Sequence, residues 1–315
     1  MVRAAVLALM GLSAAAGQGV FTATVKPAAG ENIASPCRYE LTLPTPRVAV
    51  RAVLAIFDRG REVQAFYNDP ELFRYAERER LGLLFARHCR AAAGGDDMDP
   101  DPAKGLGRAL FAALDELAWA SGHGELQSTK VIAFGFGASA VLASRMPAFN
   151  PERVAGAIAY CPDKEDATPV AQAAAAVPQL IIANSDDAEA GVEPARAYFR
   201  SRFDKGAPWM FAIQNGAPRR GALANIRPLL FAWLEPILDP TPQTAVVSLL
   251  APSQRGGFWL YLRDGGAAQD PRVSKSGVKV PGGHYPAGWA ASHKLANEWL
   301  AFEKQRRHPL DPKFQ

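Results

Sequence analysis

The sequence KVIAFGFGASA, residues 130–140, decides how this chain can fold. Its apolar run Val131–Phe134 is short and typical of a strand that is buried on both faces of a parallel sheet. From Ala138 onward, small and apolar residues recur at helical spacing as far as residue 146. Gly135 and Gly137 lie between the two patterns and allow a tight turn, with the helix close against its strand. The stretch therefore predicts a strand, a sharp turn and a helix.

This unit has the architecture of a nucleophile elbow, G-x-S-x-G, which holds a serine above the sheet beside two backbone N–H donors. In this chain the central position is Gly137. A nucleophile at such a turn usually has a positive φ, which strains a residue with a side chain by about 1–3 kcal/mol, whereas glycine adopts it freely. Glycine therefore relieves the turn and removes the nucleophile. We expect the shape of a catalytic turn without its reactive group.

The first 17 residues have the pattern of a secretory signal peptide, with Arg3, an apolar run over 4–12 and small residues over 13–17. The apolar run is too short for a membrane span, which needs about 20 residues, and no other segment is long enough. We expect a secreted or periplasmic chain with no membrane insertion after cleavage. The predicted organisation is a signal peptide over 1–17, a main domain over 18–240 and a C-terminal extension over 241–315 that packs on the main domain.

Composition narrows the possible partners. A content of 49% hydrophobic residues is ample for a core. The net charge of +4 comes from scattered Lys and Arg without a basic stripe, which argues against nucleic-acid binding. Cys37, Cys89 and Cys161 permit one disulfide and one free thiol in an exported chain, and the pairing is open. No Cys/His spacing resembles a zinc site, so we expect no metal and no cofactor. The oligomeric state is left undetermined.

Strand and helix signals alternate along the main domain, which predicts βαβ units and a mostly parallel sheet after an antiparallel lead-in. The predicted strands are Val20–Val25, Cys37–Leu43, Val48–Phe57, Leu83–Ala86, Val131–Phe134, Val154–Tyr160, Val177–Ala183 and Trp209–Gln214. The predicted helices cover 69–81, 105–120, 138–146, 194–203 and 226–238. A small α+β extension follows, with strands Thr244–Leu250 and Phe258–Arg263 and a helix over Ala290–Gln305.

Polar or glycine-rich turns follow four of these strands: Asp-Arg-Gly at 58–60, the elbow at 135–139, Asn-Ser-Asp-Asp at 184–187 and Asn-Gly-Ala-Pro-Arg at 215–219. In this order they resemble the α/β-hydrolase fold, specifically secreted esterase-like and polyester-depolymerase-like members, over residues 38–238. The resemblance implies a mostly parallel central sheet flanked by helices. It also implies a triad in the chain order Ser, Asp, His, each at the carboxyl end of a strand.

Carried over position by position, the resemblance places the nucleophile at Gly137, the acid at Asp187 or its neighbour Asp186, and the base at Arg219. Only the acid is of the required type, because glycine has no nucleophilic group and a guanidinium is always protonated. Two of the three roles are therefore vacant. Further candidate ligand-binding residues are Asp58, Arg59, Ala138 and Arg220.

Three functions are compatible with these residues. The first is a non-catalytic relative of carboxylic-ester hydrolases, which binds a small anionic or ester ligand beside Arg219 and Arg220. The second is an active esterase with a rearranged set, in which Ser139 is the nucleophile, Asp187 the acid and His284 the base. The third is a cell-envelope binding module for an anionic ligand. The sequence favours the first, because two triad positions are substituted in a setting that is otherwise kept.

Overall fold

A computed structural model gives the fold and describes residues 19–43, 48–57, 60–93, 98–163, 172–219, 223–239, 256–263, 270–275 and 282–305. In these ranges one sheet contains eleven strands. They are β1 (Gly19–Val25), β2 (Cys37–Leu43), β3 (Ala52–Phe57), β4 (Leu81–Arg87), β5 (Lys130–Phe136), β6 (Val154–Tyr160), β7 (Gln179–Asn184), β8 (Met210–Gln214), β9 (Phe258–Arg263), β10 (Arg272–Lys275) and β11 (His284–Ala290).

The strand order across the sheet is β1-β2-β4-β3-β5-β6-β7-β8-β11-β9-β10. The strands from β4 to β8 in this order run parallel, and antiparallel strands extend the sheet on both sides. Every residue of β3 and β7 is buried, which is why these strands appear in the sequence as continuous apolar runs. The order, with an antiparallel second strand, is that of the α/β-hydrolase fold. The predicted fold class is confirmed.

Helices cover both faces of the sheet. They are α1 (Arg61–Tyr67), α2 (Pro70–Glu79), α3 (Leu106–Ser121), α4 (Ala138–Phe149), α5 (Gln172–Ala175), α6 (Glu193–Phe203), α7 (Arg227–Leu238) and α8 (His293–Lys304). Alternate residues of β5 point to opposite faces: Ile132 and Phe134 join one buried cluster, and Val131 and Ala133 join the other. The first cluster packs against α1, α2, α6, α7 and α8, and the second against α3 and most of α4.

Capping residues fix several helix boundaries. Asp69 caps α2 by accepting hydrogen bonds from the N–H groups of Glu71 and Leu72, and Pro70 occupies the first turn. The helix ends at Glu79 rather than near 81, because Leu81 already pairs with β3. At the other end of the chain, Ser292 caps α8, so this helix begins three residues later than the sequence predicts.

The C-terminal segment continues the main sheet, because β11 pairs with β8 on one side and with β9 on the other. The predicted strand Thr244–Leu250 lies outside the described residues. Neither α1 nor β10 nor β11 was predicted. In β11, Pro286 and Gly288 are residues that disfavour a strand, and the ladder is irregular between them.

The sequence leaves open which two of the three cysteines pair, and in the structure Cys37 of β2 forms a disulfide with Cys89, just after β4. Cys161 is free and buried. None of the helices in the described ranges combines the length and the apolar character that a bilayer crossing requires.

Candidate active site

The turn between β5 and α4 has the backbone of a nucleophile elbow. Gly137 has φ 61° and ψ −123°, a conformation that strains any residue with a side chain. Its N–H donates to the Tyr160 carbonyl of the neighbouring strand at 3.0 Å. A methyl group on Gly135 would lie 1.9 Å from the Ser139 carbonyl oxygen, so strand and helix approach as closely as glycine allows. The turn is present, and its central position has no side chain.

The hydroxyl of Ser139, the alternative nucleophile, makes hydrogen bonds within the turn itself. Its Oγ donates to the Phe136 carbonyl and accepts from the Phe136 N–H, both at 2.9 Å, and only 1% of the residue is exposed. These two bonds satisfy backbone groups that the turn would otherwise leave unpaired. The hydroxyl therefore stabilises the elbow and does not face a substrate.

The acid position after β7 is held by backbone hydrogen bonds. Asp187 is buried, and its Oδ1 accepts from the N–H groups of Glu189 at 2.9 Å and Ala190 at 3.1 Å. Its neighbour Asp186 is exposed and accepts from the Ser185 hydroxyl. Of the two carboxylates, only Asp187 is oriented toward the base position, because its Oδ2 lies 3.1 Å from Arg219 Nη1.

Arg219 follows β8, where the resemblance places the catalytic base, and it is 9% exposed. Its guanidinium contacts three carboxylates, through Nη1 to Asp187, Nε to Glu189 at 3.1 Å, and Nη2 to Asp163. The carbon of the guanidinium lies 5.5 Å from the centre of the Phe136 ring, beside the elbow. The structure thus joins Arg219 to Asp187 through an ion pair, beside the turn at Gly137.

Backbone and amide bonds tie the acid turn to the base turn. Asn184 Nδ2 donates to the Pro218 carbonyl at 2.7 Å, and the Asp186 N–H donates to the Ala217 carbonyl at 3.0 Å. The Gly216 N–H also donates to Ser185 Oγ at 2.7 Å. These bonds do not involve Asp187 or Arg219. The relative position of the two turns is therefore set by the scaffold as well as by the ion pair.

Two residues that were not among the predicted site residues contribute to it from the end of β6. Asp163 binds Arg219, and Cys161 has a positive φ of 48°, which is a strained value for a residue with a side chain. Burial raises the pKa of the Cys161 thiol, the Asp187 charge raises it further, and Arg219 opposes the rise. Both residues follow a strand that lies between the strand of the elbow and the strand of the acid turn. Because parallel strands end at one edge of the sheet, this position was the sequence signal that could have placed them in the site.

His284, the alternative base, lies elsewhere. His284 is the first residue of β11, and its Nε2 is 3.1 Å from the Asp270 carbonyl oxygen. Four strand positions separate β11 from β5, which at about 4.8 Å per strand corresponds to about 19 Å. The rearranged set is therefore not assembled: Ser139 is bonded within the elbow, and His284 reaches neither it nor Asp187 in the geometry observed.

Of the other candidate ligand-binding residues, Asp58, Arg59 and Arg220 lie outside the described residues. Ala138 is the partly exposed first residue of α4, and an N–H at this position has no acceptor within its own helix. It can therefore serve as a backbone donor at the elbow. Across the described ranges, no three His, Cys, Asp or Glu residues are grouped as metal ligands would be.

No protein-family model and no curated protein sequence matches the chain. Among solved structures, a fungal esterase from Rhizomucor miehei shares 13% identity over 72% of this chain and 84% of its own, with a TM-score of 0.49. An esterase from Pyrococcus furiosus shares 10% identity over 70% of this chain and 91% of the esterase chain, with a TM-score of 0.48. An α/β serine hydrolase without a lid from Xanthomonas campestris shares 17% identity over 71% of this chain and 97% of the hydrolase chain, with a TM-score of 0.47. Likeness at this level carries no statement about activity.

The strand order and the strained turn at Gly137 give the chain an α/β-hydrolase fold, in which Asp187 and Arg219 form an ion pair at the edge of the sheet where this turn lies.

Proposed function

We propose that this chain is an exported, non-catalytic α/β-hydrolase-fold protein of the carboxylic-ester hydrolase type, which binds a small ester without hydrolysing it. The observation that carries the proposal is the contact of Arg219 with Asp187 beside Gly137. Hydrolysis by this fold requires a nucleophile and a base that accepts its proton. Gly137 lacks the first, and the permanently protonated Arg219 cannot act as the second.

Cys161 is an unsuitable replacement for the nucleophile. Its thiol is fully buried, and its raised pKa keeps it in the protonated form, whereas the thiolate is the reactive species. The neighbouring Tyr160 is engaged as well: its hydroxyl donates to Gln214 and accepts from Asn184. These groups form a packed polar layer beneath the site.

The charges favour a neutral ligand over an anion. Three carboxylates contact Arg219, so that among the described residues its positive charge is neutralised and the local excess is negative. A negative surface repels anionic ligands. The Ala138 N–H, in contrast, is placed where it could donate to the carbonyl oxygen of an ester. The alternative, an anionic ligand, depends on a cation other than Arg219.

The absence of catalysis is tested with purified mature protein, p-nitrophenyl acetate and a fluorophosphonate probe. We expect no turnover above the buffer rate, and no serine found labelled by mass spectrometry. Turnover that the Ser139→Ala variant abolishes would show an active rearranged enzyme and would refute the proposal.

The triad positions are tested by restoring them. The double variant Gly137→Ser, Arg219→His places a hydroxyl and an imidazole beside Asp187, and we expect the probe to label position 137 in this variant. Gly137→Ser alone should be labelled far more slowly, because a serine without a base is a weak nucleophile, and Arg219→His alone should not be labelled, because it has no serine at position 137. Equal labelling of Gly137→Ser and the double variant would show that position 219 is not the base position.

Ester binding is tested with ethyl butyrate and sodium butyrate by NMR titration. We expect the neutral ester to shift the Ala138 amide signal and the anion to leave it unchanged. Ala138→Pro removes this N–H at a helix position that tolerates proline, and it should abolish ester binding. Ala138→Ser keeps the N–H and is the matched control. Binding of butyrate alone would favour the anionic ligand instead.

Export is supported by the signal-peptide pattern and by the Cys37–Cys89 disulfide, since disulfides persist in oxidising compartments. N-terminal sequencing of protein recovered from the medium or periplasm should show cleavage near residue 17. Full-length protein in the cytoplasmic fraction would count against export.

A further inference from the structure

One side of β8 has little strand pairing. The neighbouring β11 pairs with β8 only between Gly288 and Met210 among the described residues. Beyond this pair, the backbone groups of Phe211 and Ile213 on that side need other partners, because an unpaired buried backbone group is costly.

The terminal helix α8 supplies these partners from one face. Trp299 Nε1 donates to the Phe211 carbonyl at 2.9 Å, and the Ile213 N–H donates to Glu303 Oε1 at 2.6 Å. Asn215 Nδ2 then donates to the Glu303 carbonyl at 3.0 Å. Trp299 and Glu303 are fully or almost fully buried.

The spacing of the two elements explains the match. Residues four apart rise about 6 Å along a helix, and residues two apart rise about 6.6–6.8 Å along a strand. Trp299 and Glu303 therefore meet alternate residues of β8. The last contact, at Asn215, is made by the first residue of the turn that carries Arg219.

We propose that α8 replaces a strand along the edge of β8, and that Glu303 is a positioning residue that holds this edge and the turn leading to Arg219. The proposal concerns the terminal helix and does not depend on whether the site binds an ester.

Glu303 performs this role as a neutral carboxylic acid. Burial raises its pKa well above the ordinary value, and the Ile213 N–H opposes the rise only in part. Its second oxygen, Oε2, has no hydrogen-bond partner within the described residues. No charged group contributes to the pKa shift of Glu303. Of the elements packed on α8, β8 has no charged side chain. The titratable residues of the other packed elements are Arg227, Glu235, Tyr261, Arg263, Arg272, Lys275, His284 and Tyr285.

The sign of the pH dependence follows from this pKa. Above about pH 4.3 the unfolded chain has lost the proton that folded Glu303 still holds. The contribution of Glu303 to the stability of the parent therefore falls as pH rises, until the folded-state pKa is reached. Glu303→Gln keeps an acceptor for Ile213 and has no proton to lose. The ratio of its folding equilibrium constant to that of the parent should therefore increase by up to about tenfold for each pH unit.

The test compares melting curves of the full chain between pH 5 and pH 8 for the parent, Glu303→Gln and Glu298→Gln. Glu298 lies on the same helix and is only partly buried. We expect the advantage of Glu303→Gln to grow with pH and Glu298→Gln to follow the parent. A constant difference at all pH values would overturn the neutral-acid assignment.

Hydrogen exchange tests the edge contact directly. The Ile213 amide should be protected in the parent and in Glu303→Gln, and it should exchange about tenfold faster in Glu303→Leu, which has no acceptor. The amides of Asn215, Gly216, Ala217 and Arg219 should show the same differences in protection among the three proteins. Unchanged protection in Glu303→Leu would refute the positioning role. If that variant does not fold, the pH series and the protection in Glu303→Gln still decide.

Discussion

The elbow and the two turns that carry Asp187 and Arg219 lie at the same edge of the sheet, yet they are built differently. The elbow has a strained backbone, with Gly137 at φ 61°, and has no side chain at the centre. The other two turns are joined by a side-chain contact, an ion pair between Asp187 and Arg219. One region is thus defined by its backbone geometry and the other by a contact between side chains.

The difference shows which forces hold each region. The elbow is held by hydrogen bonds and close packing, through the Ser139 hydroxyl and the missing Cβ at Gly135. The base turn is held partly by charge, because Arg219 links three carboxylates from two different turns. Mutations should therefore affect the two regions by different mechanisms.

Arg219→Ala should have the largest effect. It leaves the buried Asp187 without its counterion, and breaking a buried pair costs about 3–5 kcal/mol. Urea unfolding measures the loss. Arg74→Ala is the control, because Arg74 and Glu71 are more than half exposed, and such a pair is worth about 0–1 kcal/mol. Equal losses in both variants would mean that the Arg219 contacts do not hold the turn.

Gly135→Ala should be next, with a loss of about 1–3 kcal/mol, as for overpacking of a tight site. Its methyl group would meet the Ser139 carbonyl oxygen at 1.9 Å, and backbone cannot move aside as a flexible side chain can. Gly124→Ala, in open space, is the comparison in thermal unfolding. A neutral result at Gly135 would show that the helix does not lie this close to the strand.

Ser139→Ala should cost about 1–3 kcal/mol, because a buried backbone N–H loses its partner. Ser139→Thr keeps the hydroxyl and separates its loss from a change in size. Chemical denaturation measures both. If Ser139→Ala is as stable as the parent, the hydroxyl does not stabilise the elbow.

Gly137→Ser should cost about 1 kcal/mol, since positive φ is imposed on a residue with a Cβ. The substitution Gly124→Ser should cost less stability, because the φ of Gly124 is not positive. A melting temperature of Gly137→Ser equal to or above that of the parent would contradict the strained turn.

The sequence predicted from strand ends where most residues of the candidate site lie. Gly137, Asp187 and Arg219 each follow a strand that the sequence identifies by its apolar run, and parallel strands end at one edge. Asp163 and Cys161 also follow such a strand, but neither matches a triad role. Asp58, Arg59 and Arg220 remain predictions. Glu303 gave no signal, because a glutamate on an amphipathic helix is ordinarily solvated.

The sequence by itself determined most of the strands and helices of the main domain, the glycine turn and the residue types at positions 137, 187 and 219, because periodicity and local φ preferences act over a few residues. Only the tertiary structure decided which cysteines pair, that the Ser139 hydroxyl faces its own turn, and that His284 lies four strands from the elbow. It also decided that Arg219 is neutralised by three carboxylates. These outcomes depend on contacts between residues far apart in the chain, which local patterns do not encode.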